Sequence, residues 1–354
     1  TTMTTQPGPI VLLGSGETAP GAQRIYHRLF TRLDAPIRVA VLETPAGFEP
    51  NSAAVSDQVA TYLAKRLQNF RPQVDIIPAR ARGTSFTPDD AALAARLHDA
   101  NVIFMGPGSP TYTVRQLQGT VVWETLRACH RLGTALVSAS AATLALSRQT
   151  LPVYEIYKVG EELHWKAGLD FFGNFGLMAS FISHWNNNDG GERLDTSRCY
   201  IGQDRFARLM TMLPGGSEQH TVVGIDENTA LFVEPEACNA TVLGTGQVTV
   251  VRRGEAVSFG AGQSFALDRL GPFHLPDLSA GIDGATWAEV VRSREATRIG
   301  AAIAPDAAVL ALLEVRAAAR QRADWAASDR LRQSIADLGW RVVDTADGQQ
   351  LEPA

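Results

Sequence analysis

The stretch Ala135-Leu136-Val137-Ser138-Ala139-Ser140-Ala141-Ala142-Thr143-Leu144 carries an apolar strand into a turn of small residues, with a helix to follow. A serine in such a turn projects its hydroxyl above the sheet, the layout of a nucleophile elbow. Small neighbours are needed because the backbone of that turn is strained. The N–H of Ala141 would then face the oxyanion that forms during attack. A second turn, Gly106-Pro107-Gly108-Ser109-Pro110, follows another apolar run. Its glycines let backbone approach a ligand and can supply a second oxyanion donor. A serine nucleophile also needs a base. The segment Phe181-Ile182-Ser183-His184-Trp185 puts a histidine at the end of a short apolar run. Farther on, Val223-Gly224-Ile225-Asp226-Glu227-Asn228-Thr229-Ala230-Leu231 places two carboxylates between two strands, where either could orient that histidine.

Such groups work only if a scaffold brings them together. Ile10–Leu13, Ile37–Leu42, Val74–Ile77, Val102–Met105 and Ala135–Val137 are short apolar runs. Between them lie helical patterns, such as Val55, Val59, Leu63 and Leu67 on one face. Strands alternating with helices predict parallel βαβ units and a sheet buried on both faces. In such sheets the site lies at the carboxyl ends of the strands. That points to the turns after Leu13, Met105 and Val137. The first, Gly14-Ser15-Gly16-Glu17, has no phosphate-loop pattern and would line the same cleft. Thr221–Ile225, Leu231–Val233, Thr241–Leu243 and Gln247–Arg252 predict an antiparallel extension of the sheet. The Pro- and Gly-rich composition from Gly271 to Gly284 suits a linker, and Pro305 to Leu338 is strongly helical, with Arg341–Val343 as a last short run.

Composition bounds the function. The 354 residues are 45% hydrophobic and 19% charged, which is globular. No run of 18 apolar residues argues for a membrane span. The N-terminus has no signal-peptide pattern, and Met3 reads as a natural start. A net charge of -5 argues against nucleic-acid binding by bulk charge. Cys129, Cys199 and Cys238 form no CxxC, so a reduced, cytoplasmic protein is expected. His164-Trp165 and His184-Trp185 are twenty residues apart with no acidic cluster beside them, so no metal is expected. Nor is a cofactor.

The four segments Gly106–Pro110, Ser138–Thr143, Ile182–Trp185 and Gly224–Leu231 resemble, in order and spacing, those of serine peptidase family S51, the dipeptidase E and cyanophycinase group. GIDENTAL is close to that family's GIDEDTAL, and Arg205–Leu209 (RFARL) is similar to its RIGRL. The resemblance covers about residues 8–255 and lies nearer to the cyanophycinases. It implies a three-layer α/β/α fold with a mainly parallel sheet, similar to class I glutamine amidotransferases, with serine in place of their cysteine. It implies Ser140 as nucleophile, His184 as base and Glu227 as orienting acid, with Glu155 as the alternative. Gly108 and Ala141 would form the oxyanion hole. Ser109, Arg205 and Arg208 would bind a substrate carboxylate, the arginines by bidentate contacts. The activity implied is hydrolysis of small or Asp-containing peptides through an acyl-enzyme. Ser138 and Ala142 stand where the family has glycines, which predicts a narrower elbow. Asn186–Glu192 is an insert after the histidine, read as a loop.

A second resemblance lies at the other end. Leu312–Arg332 and Leu338–Gly348, with Ala323-Asp324-Trp325-Ala326 and Val343-Asp344-Thr345, look like the last segment of cysteinyl-tRNA synthetases. The catalytic motifs of those enzymes are absent from this sequence. The division expected is 1–270 for the peptidase-like domain, 271–304 for a linker and 305–354 for the synthetase-like domain. Its relatives imply contact with tRNA or a protein partner. Six arginines against eight acidic residues over 301–354 oppose a phosphate-binding face. The rival to hydrolysis is a lapsed scaffold that binds partners through this tail, with a homodimer formed through an outer helix.

Overall fold

The computed structural model describes residues 6–303, 305–345 and 348–353; the expectation about Met3 lies outside them. The chain divides into two compact units, one through Val291 and one from Arg292.

In the first unit strands and helices alternate as the apolar runs dictate. The order is β1 (Ile10–Leu13), α1 (Ala22–Phe30), β2 (Arg38–Leu42), α2 (Ser52–Arg66), β3 (Gln73–Ile77), α3 (Ala91–Ala95) and β4 (Val102–Met105). Then come α4 (Pro110–Leu117), α5 (Val121–Arg131), β5 (Ala135–Ala139) and α6 (Ala141–Ala145). Thr120 caps α5 by accepting the Trp123 N–H. Strands β1 to β5 pair in parallel in the order β1-β5-β4-β2-β3. Their residues alternate between two cores. Ile10 and Leu12 face one, with Trp123 and Leu126 of α5, and Val11 and Leu13 the other, with Ile25 and Leu29 of α1. The sheet is therefore buried on both faces, as its continuous apolar strands require.

The second half departs from the expected extension. Short β6 (Gln149–Thr150) and β7 (Lys166–Ala167) pair with each other, and then follow β8 (Ala179–Ile182), α7 (Gln203–Thr211) and α8 (Gly216–Gln219). The remaining strands are β9 (Thr221–Ile225), β10 (Thr229–Glu234), β11 (Asn239–Gly244), β12 (Gln247–Arg252), β13 (Glu255–Gly260) and β14 (Ser264–Ala266). Only β10, β11 and β14 extend the main sheet antiparallel, from the edge of β1. Strands β9 and β12 instead join β8 and β13 in a separate sheet of order β13-β12-β9-β8. The reason lies in the partners: β9 pairs in parallel with β8, which the first sheet does not contain.

The segment read as a linker is not one throughout. Phe273 stacks on Phe175, and Trp287, Val290 and Val291 pack on the main core. The last three lie on a twenty-residue helix, α9 (Gly284–Ile303). Its apolar side chains outweigh the breaking tendency of the preceding Pro and Gly residues.

The second unit contains α10 (Ala307–Gln321) and α11 (Trp325–Asp337), capped by Asp306 and Asp324. It closes on an antiparallel hairpin, β15 (Trp340–Thr345) and β16 (Gly348–Pro353), where one short strand was expected. Val309, Ile335 and Val342 form its small core.

Candidate active site

Ser140 sits between β5 and α6 with φ 52° and ψ -114°, a conformation that a side-chain-bearing residue adopts only under constraint. Its N–H is held by the Leu13 carbonyl at 3.1 Å. The narrowing expected from Ser138 and Ala142 does not deform this turn, because both side chains are absorbed. Ser138 Oγ lies 3.1 Å from Thr143 Oγ1, which donates to the Leu13 carbonyl at 2.9 Å. Ala142 is buried in the main core.

His184 follows β8, also at positive φ (49°), with its N–H on the Gly14 carbonyl at 3.2 Å. Its Nε2 is 2.8 Å from Ser140 Oγ and its Nδ1 is 2.8 Å from Glu227 Oε1. This network assigns the tautomer: Nδ1–H donates to the carboxylate and Nε2 accepts from the serine hydroxyl. Trp185, the next residue, lies over Gly224, where any Cβ would meet the indole at 2.1 Å. That close approach accounts for the glycine of the GIDE segment.

Of the carboxylates considered, the structure brings only Glu227 to the histidine. Asp226 accepts the Gln247 N–H instead. Glu155, the alternative, is engaged by Lys166 Nζ at 3.3 Å. Glu227 is held from three sides. Besides His184, Asn187 Nδ2 donates to Oε1 at 2.9 Å, and the Glu227 N–H donates to Asn186 Oδ1 at 2.8 Å. The His184 hydrogen bond holds the Glu227 carboxyl below its usual range, against the pull of partial burial and with help from Asn187. Asn187 is itself buried and also bonds Asp189 Oδ2 at 3.0 Å. These two asparagines belong to the insert read as a plain loop. Their type, capable of donating and accepting at once, was the only signal in the sequence.

Ser140 and His184 open on a cleft of about 250 Å³ whose walls include Leu144, Val153, Tyr154, Cys199 and Tyr200. Arg198, Cys199 and Tyr200 run consecutively at positive φ, a rare sequence for residues with side chains. Hydrogen bonds from the Arg198 N–H to Trp185 O and the Cys199 N–H to His184 O hold that turn against the histidine. The Tyr200 ring lies 5.8 Å from the imidazole, and its hydroxyl donates to Asp189 at 3.2 Å. Gly108 and Ala141 also line the cleft. Gly108 has φ 152°, and a Cβ there would lie 1.8 Å from the Pro45 carbonyl oxygen. Only glycine fits.

The carboxylate-binding residues implied by the resemblance are elsewhere. Arg205 donates to the Tyr200 and Ile201 carbonyls, so it braces the cleft wall rather than facing the cleft. Arg208 is exposed on α7. Ser109 caps α4, accepting the Tyr112 N–H at 3.2 Å. The reason is local for two of them: Ser109 is held as a helix cap and Arg205 as a backbone brace. Among the described residues no group of three His, Cys, Asp or Glu side chains is placed to hold a metal ion. Among them, too, no helix is long and apolar enough to cross a membrane.

With this geometry in hand, the comparisons with known proteins fall into two parts. The crystal structure of a peptidase from an acI-B1 actinobacterium superposes with TM-score 0.58 at 22% identity, over 75% of this chain and 98% of that one. The fold is shared with a peptidase. It is the three-layer, mainly parallel α/β arrangement, with a small C-terminal region appended. A short segment of the chain is 54% identical over 43 residues to cysteine–tRNA ligase 1 of Burkholderia lata, and 52% over 48 residues to cysteine–tRNA ligase of Opitutus terrae. These matches support the synthetase-like C-terminal segment. The chain spans only about a tenth of the length of those ligases. No family model matches the chain.

Proposed function

We propose that the protein is a serine hydrolase of small peptides. The observation that carries this reading is the unbroken chain Ser140–His184–Glu227, with both links at 2.8 Å. Ser140 Oγ attacks a carbonyl carbon while His184 Nε2 takes the hydroxyl proton. Glu227 steadies the imidazolium that results. The N–H groups of Gly108 and Ala141 receive the charge on the tetrahedral oxygen. His184 then returns the proton to the leaving amine, and water releases the acyl group by the same steps in reverse. The neighbour that shares the fold is a peptidase, which is in keeping with peptide hydrolysis.

Labelling with a serine-reactive fluorophosphonate tests it. The expected result is modification of Ser140 that disappears in Ser140→Ala. A folded protein that takes no label would overturn the reading in favour of the lapsed scaffold.

A second reading concerns the tail alone. Arg316, Arg320 and Arg332 converge on Asp344, and Arg320 lies over the exposed ring of Trp325. Cation and exposed indole together are a feature of surfaces that bind single-stranded or looped RNA. This favours tRNA as the partner. Titration with a tRNA transcript should give salt-dependent binding that Arg332→Ala weakens; equal binding by the variant removes this reading.

A further inference from the structure

We infer that the cleft takes an acyl donor whose acyl side chain is uncharged and apolar, and rejects an acidic one. The inference rests on the hydrolase reading above and names its substrate class.

The walls beside Ser140 are Leu144, Val153, Tyr154 and Pro110 on one hand and Cys199 and Tyr200 on the other. Among the described residues no lysine or arginine lines the cleft. The nearby cations are committed elsewhere. Arg205 is spent on two backbone carbonyls. Arg198 is stacked 4.0 Å over the Trp185 ring and donates to its carbonyl. A carboxylate entering here would lose water and gain no counter-charge, which costs far more than it returns.

The local field adds to this. Burial, then Cys199 and Glu49, hold the Tyr154 hydroxyl above its usual range. Burial, then Asp189 and Glu227, do the same to Tyr200. The Cys199 thiol is pushed up to about 12 by burial, against the pull of its hydrogen bond with Ser183 and with Glu227 adding to the rise. These three groups are thus kept neutral by desolvation above all, and a nearby carboxylate adds to it in each case: Glu49 for Tyr154, Asp189 for Tyr200 and Glu227 for Cys199. An aspartyl side chain would meet the same two penalties. An aliphatic or aromatic side chain meets neither and gains by leaving water. About 250 Å³ is room for one such side chain and its carbonyl.

The test uses the full chain and three aminoalkyl boronic acids bearing isobutyl, benzyl or carboxymethyl side chains. Each competes with fluorophosphonate labelling of Ser140, so the readout does not need a turned-over substrate. The isobutyl and benzyl compounds should protect Ser140 at concentrations at least tenfold lower than the carboxymethyl compound. Tyr154 is 43% exposed, so Tyr154→Arg should fold and narrow or reverse that ratio by adding a cation at the wall. Equal or better protection by the carboxymethyl compound overturns the inference. So does labelling that none of the three prevents. Absence of labelling without competitor overturns the hydrolase reading instead, so the two failures are distinct.

Discussion

Glu227 in the first unit and Asp344 in the second are equally exposed, each side chain at 29%. Both carboxyls are held below their usual range, Glu227 foremost by its hydrogen bond with His184 and Asp344 foremost by that with Arg316. Their company differs. Asp344 accepts from Arg316 at 2.9 and 3.1 Å, from Arg320 at 3.1 Å and from Arg332 at 2.9 Å, joining β15 to α10 and α11. Gln349 also accepts from Arg316, whose side chain is fully buried. An arginine keeps its proton at any working pH, so Asp344 can only hold a structure together. A histidine exchanges its proton near neutrality. Burial therefore does not separate these two carboxylates; the partner's capacity to give up a proton does.

Exchanging one carboxylate at a time breaks the comparison most sharply. Glu227→Gln keeps the shape but removes the charge that fixes the imidazole tautomer, and should slow Ser140 labelling by about a thousandfold or more. Asp344→Asn should leave that rate unchanged. It should instead destabilise the second unit by about 3 kcal/mol, because Arg316 stays buried without its counter-charge. Denaturant unfolding followed through Trp325 and Trp340 fluorescence measures this; unchanged stability would mean that Gln349 suffices for Arg316.

Acid should separate the two units next. His130 and His220 are buried, and burial lowers their pKa values to about 3 and about 4. Below about pH 6.5 an unfolded histidine binds a proton that the folded one refuses, so stability is lost as pH falls from there. The first unit should lose roughly 2 kcal/mol per histidine, about 4 kcal/mol in all, by pH 5. The second contains no histidine, and its Asp344 contribution is lost only as pH falls through that group's depressed value, below the ordinary aspartate range. Calorimetry between pH 4 and 8 should show the first unit alone losing melting temperature down to pH 5. A parallel loss in both would contradict the assignment.

Smaller effects sharpen the Glu227 side. Asn187→Ala should slow labelling by about tenfold without altering melting by more than a few degrees, since misorientation of a catalytic group is costly. An unchanged rate would show that His184 alone orients the carboxylate. Ser138→Gly should cost only about 1 kcal/mol, the worth of one hydrogen bond, and leave labelling within threefold. A larger rate loss would show that the Thr143 bond shapes the elbow.

The parallel half of the fold was legible because Val11, Leu29 or Val59 announce their elements by spacing to near neighbours. The split into two sheets was not, because Val222 and Phe232 are alike as apolar strand residues and only the distant β8 decides which joins what. The elbow and its histidine were readable as local motifs. Asn187 was not, since its meaning comes from a carboxylate forty residues away. Arg205 misled for the converse reason: its charge was visible, but the backbone carbonyls that consume it were not.

The three groups of the Ser140 relay do not share one sheet. Ser140 leaves the eight-stranded sheet at β5, His184 leaves the four-stranded sheet at β8, and Glu227 lies where the chain crosses from β9 in the second to β10 in the first. The relay thus straddles a seam, and its two 2.8 Å gaps gauge how the sheets register against each other. A slip of one ångström along that seam would open both gaps while each sheet kept its own strand pairing. Labelling of Ser140 would in that sense report on the seam, and warming should extinguish it before either sheet melts.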